Sequence, residues 1–328
     1  MVDAVIMWVD GNDPTHKIKR DKFSKKPEKN VNSAAKLKWR FLDAGEIKYC
    51  IYSIRKFAPW IRNIFLVTDD QCPVWLTENL RKKLGIVIID HKVIFSEHIE
   101  CLPTFNNISI SSLLFKIPGL AEKYIVFNDD SLIIQYVDEE DFFKHGKTVL
   151  RGQYATLKLS FVALLKRFIK KYILRVKGIK LQRIRSAVLS KSAALVGEKR
   201  MGFETDHAPH SYRKSIIEDF HKRNPGVLEN NVKYKFRNDL QYGNSAVFSL
   251  LSIQQGLAVI KDGSDAEMII PGYGGLKGLK GQREKFDALK RGNHGKKFLC
   301  FQDLAFLKQE NPEEFQEVID WLEETIMK

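Results

Sequence analysis

Cysteine is scarce in this chain and its spacing builds nothing. Cys50, Cys72, Cys101 and Cys300 are scattered through 328 residues with no C-x-x-C pair. That excludes a zinc ribbon and a disulfide framework, and it favours a reducing compartment. No apolar run approaches the ~18 residues that a membrane-spanning helix needs. The opening Met1-Val2-Asp3 puts an acid where a secretory signal carries positive charge, so no such signal is expected. Internal repeats and low-complexity tracts are absent, and so are G-x-G-x-x-G before a helix and G-x-x-x-x-G-K-[ST]. The one glycine-rich segment, Gly272 to Gly281 with Lys277 and Lys280, could wrap a phosphate through its backbone N–H groups, but it lacks either spacing.

Acidic charge is missing from one stretch in particular. From Lys158 to Arg200 there are thirteen Lys or Arg and a single acid, Glu198. That segment carries +12 of the net +14, leaving a near-neutral globule with one basic insert. Charge confined in this way, with no nucleic-acid motif, argues against nucleic-acid binding. Within the insert Phe161, Leu164, Leu165, Phe168, Tyr172 and Val176 fall on one helical face, and Lys166, Lys170, Lys171, Arg175 and Lys177 lie beside or opposite it. A basic amphipathic helix suits an anionic membrane surface, here through residues 158–190. A solvated face packed on the core and a groove for an anionic polymer are the alternatives.

What the chain does have is a core's worth of apolar residues, 44%, and four short apolar runs that end on acids. Val2 to Val9 leads into Asp10-Gly11-Asn12-Asp13, and Ile64 to Thr68 into Asp69-Asp70. Ile86 to Ile89 leads into Asp90, and Tyr124 to Phe127 into Asn128-Asp129-Asp130. Such runs read as strands buried on both faces, the pattern of a parallel sheet. Ligands of open α/β sheets sit outside the carboxyl ends of the strands. Each acid alone could be a turn residue or helix cap. Four at equivalent strand ends would repel one another unless a cation or a metal–polyphosphate complex lay between them.

Between these runs the pattern is helical. Asp43-Ala44-Gly45-Glu46 reads as a capping box before Ile47, Cys50, Ile51, Ile54 and Phe57 at helical spacing. A helix is predicted from Pro73 to near Gly85, another from Ile108 to Phe115, and a third from Ser211 to His221 after Pro209. Thr15 to Lys38 reads as loop or short helices. Asn311-Pro312-Glu313-Glu314 is a helix start, with Asn as cap and Pro at the first position. The predicted class is α/β, a mostly parallel sheet flanked by helices. Residues 1–156 and 200–310 would form one catalytic domain, 157–199 a basic helical insert and 311–328 a C-terminal helix.

The motifs then resemble a family. Met7-Trp8-Val9-Asp10-Gly11-Asn12-Asp13-Pro14 resembles the first conserved block of the Stealth proteins, the bacterial capsule polymerases that transfer hexose-1-phosphate and the related N-acetylglucosamine-1-phosphotransferase. Trp39-Arg40-Phe41, Ala58-Pro59-Trp60-Ile61-Arg62, Pro103-Thr104-Phe105-Asn106 and Phe127-Asn128-Asp129-Asp130 resemble the second. His207-Ala208-Pro209-His210 with Phe236-Arg237-Asn238-Asp239 resembles the third, and Lys297-Phe298-Leu299-Cys300-Phe301-Gln302-Asp303 the fourth.

The resemblance implies a GT-A-like (Rossmann-type) fold. It implies transfer of hexose- or N-acetylhexosamine-1-phosphate from a UDP-sugar to a hydroxyl of a growing polysaccharide or lipid-linked glycan, with release of UMP. It implies Mg²⁺ or Mn²⁺ held by Asp129, Asp130 and Asp303, with Gln302 where the family usually has Asn. Asp130 also matches the family's functional acid. His210 matches the family's base, and the sequence would set it at a helix N-terminus, where the ring stays neutral. Arg237 matches an arginine suited to the transferring phosphate. Trp8, Asp10, Gly11, Asn12, Arg40, Asn106 and His207 would line the substrate pocket. The family's glutamate after Pro103-Thr104-Phe105 is replaced here by Ser111, so either its role passes elsewhere, for instance to Asp69, Asp70 or Asp10, or this branch handles a different sugar or has reduced activity. The expected setting is cytoplasmic, peripheral on the inner membrane face. A conventional glycosyltransferase releasing UDP, and a non-catalytic glycan- or membrane-binding homologue, are the competing readings.

Overall fold

The computed structural model describes residues 1–24, 31, 41–157, 179–272, 275–292 and 295–328, with backbone alone over 179–186. Twelve strands are found among them: β1 Val2–Met7, β2 Ile64–Thr68, β3 Ile86–Asp90, β4 Lys123–Asn128, β5 Ser131–Ile133, β6 Phe143–Lys144, β7 Lys147–Thr156, β8 Met201–Thr205, β9 His210–Arg213, β10 Ala258–Lys261, β11 Ala266–Ile269 and β12 Phe298–Phe301.

The four acid-terminated runs form the centre of one sheet, in the order β3-β2-β1-β4-β9. β1 runs parallel to β2 and β4, and β2 parallel to β3, with Met7 level with both Val67 and Asn128. Only the edge strand β9 is antiparallel. The residues that follow β1, β2, β3 and β4 therefore emerge along one edge.

Alternation assigns the two faces of this sheet to two cores. Ala4, Ile6, Leu66, Ile125 and Phe127 pack against Ile47, Ile51 and Ile54 of the helix Glu46–Phe57. Val5, Phe65, Val67, Tyr124 and Val126 pack on the other face with Ile94, Leu113, Ile217 and Phe248. The opposite edge of the sheet is pinned by a buried charge. Asp3 is fully buried in β1 and accepts from Arg62 Nε at 2.9 Å, from Arg62 NH2 at 2.6 Å, and from the backbone N–H groups of Asn63 and Ala121. Four donors compensate the lost hydration of one carboxylate.

Two smaller sheets flank the main one. β7 pairs with β10, β6 and β8, and β12 lies between β11 and β5. The antiparallel β12–β5 pairing brings the end of β12 beside the β4–β5 turn, where Phe301 N donates to Asp130 O at 3.0 Å. The helix Pro312–Leu322 starts as its sequence predicts, with the Asn311 side chain accepting from Glu314 N. The segment after it docks on the helix Glu46–Phe57, where Tyr49 Oη donates to Glu323 at 2.8 Å.

Several expectations are corrected. The box at Asp43–Glu46 does not form: Asp43 accepts from Gly45 N and Glu46 from Ala44 N, while Gly45 caps the helix with φ 100° and no side-chain bond. The predicted helix from Pro73 is the shorter Glu78–Lys83, capped by Thr77. Ile108 to Phe115 divides into a helix Asn107–Ser111 and a single turn at Leu114–Lys116. Ser211 to His221 is a strand and then a helix, Lys214–Arg223. There the free edge of β4 takes residues 210–213 as its partner, and pairing outweighs local helical spacing. Thr15 to Lys38 supplies the helix Pro14–Ser24, and most of the remainder lies outside the described residues.

The face of the basic insert at 161–176 lies outside the described residues. The end of the segment is the helix Ile179–Leu195. Its Ala193 is buried with Leu150, Phe203 and Leu250, and Lys191 Nζ donates to Asp239 O at 2.6 Å. No helix among the described residues is long and apolar enough to cross a membrane.

Candidate functional site

A cavity of about 310 Å³ opens at the carboxyl edge of the main sheet. Its walls come from the ends of β1 (Met7, Trp8, Val9), β4 (Asn128, Asp129, Asp130) and β12 (Gln302, Asp303). Phe41, Leu42, His16, His91, Thr104, Phe105, Asn107, Ile110, His207 and Arg237 complete it.

The loop after β1 owes its shape to close backbone contacts. Asp10 holds Gln71 through two hydrogen bonds, its N–H donating to Gln71 Oε1 and its carbonyl accepting from Gln71 Nε2. Its carboxylate accepts from Asn12 N at 2.8 Å. Gly11 N donates to Phe41 O at 2.6 Å, and a Cβ at Gly11 would lie 2.0 Å from that oxygen, so no larger residue fits. Asp13 then caps the next helix, accepting from His16 N at 2.7 Å, with Pro14 at its first position. Trp8 lines the cavity, whereas Asp10, Gly11 and Asn12 shape the loop that holds it.

Acids collect at the β4 end. Burial, and then repulsion from Asp130 and Asp43, push the Asp129 carboxyl up to about 8. Burial raises Asp130 to about 6, with Asp303 adding to it and the Cys300 thiol opposing it by hydrogen bonding. Glu46 is pushed well above the usual carboxylate range, first by burial and then by Asp129. Burial raises Asp43 as well. The residues expected to hold a cation suit one: Asp129, Asp130 and Asp303 offer oxygen donors, and Asp130 Oδ1 is buried with no hydrogen-bond partner among the described residues. No group of three His, Cys, Asp or Glu side chains among the described residues already encloses a single ion position.

Part of the wall is built from the Pro103–Asn107 turn. Asn107 lines the cavity and its Oδ1 accepts from Arg237 Nε at 2.7 Å. Asn106, expected in the pocket, is fully buried behind it and bonded to Gln241 Oε1, Tyr234 O and Ile108 N. Its role is to fix the turn. Ser111 accepts from Asn244 Nδ2 at 2.6 Å and is not among the residues that line the cavity.

His207 reaches the cavity and His210 does not. The helix expected to begin beside His210 starts at Lys214, so a helix N-terminus is not what governs this ring. It lies on β9, level with Val126, and burial lowers it to about 4, helped by the charges of His207 and Arg151. The ring is neutral by enclosure. Asp69 is bonded to Lys19 Nζ at 3.2 Å, and Asp90 caps the helix His91–Ile94 by accepting from Lys92 N. Arg40 lies outside the described residues.

The structure therefore brings together Trp8, Asp129, Asp130, Asp303, His207 and Arg237 of the residues expected at the site. Sequence reasoning missed Asp43 and Glu46, hidden in an apparent capping box, and His16, His91 and Asn107. The one available signal for the last was its place in a Pro-Thr-Phe-Asn-Asn turn.

Stealth protein conserved region 2 matches residues 40–150. An exopolysaccharide phosphotransferase of Lactiplantibacillus plantarum is 32% identical over 250 residues, 72% of this chain and 71% of that protein. A capsular polysaccharide phosphotransferase of Streptococcus pneumoniae is 27% identical across 94% of this chain and 92% of its own length. One from Actinobacillus pleuropneumoniae is 41% identical over 145 residues, a match that spans 44% of this chain and only 38% of that relative. Among solved structures, mouse xyloside xylosyltransferase 1 aligns over 92% of this chain and 98% of its own at 11% identity, with a TM-score of 0.40. That score is too low to bear on the fold, and the α/β assignment rests on the strand order. With family blocks on the walls of one cavity and relatives aligned over most of their length, the chain belongs to the Stealth family.

Proposed function

We propose that this chain transfers hexose- or N-acetylhexosamine-1-phosphate from a UDP-sugar to a glycan hydroxyl, releasing UMP, in the synthesis of capsule or another surface polysaccharide. The observation that carries the reading is the cavity itself, where the acids that follow β4 and β12 share one lining with Arg237, Asn107 and His207 at the carboxyl edge of the sheet.

In this reaction the acceptor hydroxyl oxygen forms a bond to the phosphorus that bears the sugar. The bond from that phosphorus to the bridging oxygen breaks, and UMP leaves with the electron pair. Arg237, oriented by Asn107, binds the transferring phosphate through a planar fork of donors. An imidazole of the His207–His210 pair takes the hydroxyl proton. His207 is in reach of the cavity, and His210 behind it is held neutral by enclosure. Trp8 gives the donor an apolar wall. A divalent cation held by carboxylate oxygens of Asp129, Asp130 and Asp303 would, when bound, neutralise the diphosphate. The segment 158–190, with ten Lys or Arg and no acid, would hold the protein at an anionic membrane on its cytoplasmic side.

The test is product analysis with UDP-sugar donors, a glycan acceptor and Mg²⁺ or Mn²⁺. UMP is the expected nucleotide, and Arg237→Ala and His207→Ala should each suppress its formation. UDP as the product would replace this reading with transfer at the anomeric carbon. No nucleotide release with any UDP-sugar would leave a glycan-binding homologue.

A further inference from the structure

The β3 end of the cavity has features that the chemistry above does not use. His16 and His91 come from different helices, each only 2% exposed, and both line the cavity. Nδ1 of each ring is buried with no hydrogen-bond partner among the described residues. The same holds for Thr68 Oγ1, Asp90 Oδ2 and Arg20 NH1. Thr68 and Asp90 are level across β2 and β3, and His91 follows Asp90. Buried polar atoms left unpaired cost ~1–3 kcal/mol each, so a corner holding several is built for something that pairs with them.

The occupant's chemistry follows from the charges. Burial lowers His91 to about 4 against the pull of Asp69 and Asp90, and lowers His16 as well. Neutral imidazoles offer one donor and one acceptor each and attract phosphate poorly. The carboxylates of Asp69 and Asp90 repel phosphate and accept from hydroxyls. Phe41 and Phe105 stand 6.2 and 5.4 Å from the His16 ring centre and give a planar group apolar walls. Two cations stand near the His16 ring as well, Lys19 and Arg20, and Lys19 is already ion-paired with Asp69 at 3.2 Å. An uncharged heterocycle joined to a diol can pair with the imidazoles and the carboxylates and lie against the aromatic rings.

We propose that His16 and His91 form the nucleoside subsite of this cavity, taking the base and ribose of the donor nucleotide. The proposal rests on the nucleotide-sugar reading above. It fixes the donor's direction, with the base at β3 and the diphosphate towards Asp129 and Asp130 at β4. Strands in the order β3-β2-β1-β4 are three intervals of ~4.8 Å apart, about 14 Å in all, a span that suits a nucleoside diphosphate. Asp69 at the end of β2 then lies where acids of dinucleotide-binding sheets meet ribose hydroxyls.

The experiment titrates UMP and uridine into the metal-free protein by calorimetry, and follows the imidazole resonances of the wild type. Resonances of both His16 and His91 should shift with uridine. His16→Gln and His91→Gln should each weaken UMP binding tenfold or more, while binding of Mn²⁺ with inorganic pyrophosphate stays unchanged. UMP binding that leaves both wild-type resonances in place overturns the proposal, as does wild-type affinity in both folded variants. Release of UDP in place of UMP during turnover would sink the phosphotransfer reading alone. Failure of the wild type to bind UMP, uridine or UDP would remove the nucleotide donor and this subsite together.

Discussion

Arg237 Nε donates to Asn107 Oδ1 at 2.7 Å, tying the arginine to the turn at Pro103–Asn107 across 130 residues of sequence. The bond sets the plane of the guanidinium in the cavity wall. Asn107→Ala should therefore lower kcat for UMP release by about tenfold, the scale of one lost charge-assisted hydrogen bond. KM for the donor should change less, and the fold should persist. Arg237→Lys should cost more, because an ammonium cannot present a planar pair of donors. Steady-state kinetics on the two variants checks the order.

The carboxylates at the β4 end predict a response to divalent cations. Burial, and then Asp130 and Asp43, disfavour the ionised form of Asp129, and burial, and then Asp129 and Asp43, disfavour that of Glu46. A cation bound only by the folded state at about a hundred times its dissociation constant adds about 2.7 kcal/mol. For a chain of this size that is a rise in Tm of about 4 °C. Mn²⁺ or Mg²⁺ should raise the melting temperature of the wild type in chelator-stripped buffer. Asp129→Asn should be more stable than wild type without cation and should lose the cation response. A melting temperature indifferent to either ion would remove Asp129, Asp130 and Asp303 as ligands.

His221 gives a pH prediction away from the site. Both of its nitrogens are buried without partners among the described residues, and its ring stacks on Phe115 at 5.5 Å. Burial lowers it to about 4 from an ordinary 6.5. The unfolded chain thus binds a proton there that the folded chain refuses. Stability from this group is fully present above pH 6.5 and is lost as pH falls towards 4, by up to ~3 kcal/mol. His221→Phe should flatten that part of the stability profile between pH 6.5 and 4, measured by urea unfolding.

How much was legible in the sequence depended on the range of the interaction that decides each feature. The four parallel strands could be read because β-branched runs and terminal aspartates are local. Gly11 and Asp13 could be placed in one block, though their tasks, a 2.6 Å approach to Phe41 O and the capping of the His16 helix, needed the partners. β9 could not be read, because Ser211 to His221 has helical spacing and only the open edge of β4 makes its first residues a strand. Asn106 and Asn107 are adjacent and chemically identical. Burial against Gln241 makes one structural, and the bond to Arg237 puts the other in the cavity.

The acid that the family places after the Pro-Thr-Phe turn yields the sharpest contrast. Ser111 stands there, bonded to Asn244 and not among the cavity's lining residues. Glu46 and Asp43, not Asp69 or Asp70, are the carboxylates whose charge Asp129 feels or imposes. Beside Asp130, the acid acting on Asp129 is thus Asp43, just before the helix Glu46–Phe57. Ser111→Ala should change turnover by less than about twofold, since the hydroxyl, bonded to Asn244 and to Ile108 O, is not among the cavity's lining groups. Glu46→Gln keeps the shape and removes the ionisable group, so turnover should fall by about a hundredfold or more, with an altered pH–rate profile. Asp69→Asn should leave that profile in place. Equal losses in the Ser111 and Glu46 variants would return the acid's role to the α-helical turn at Asn107–Ser111.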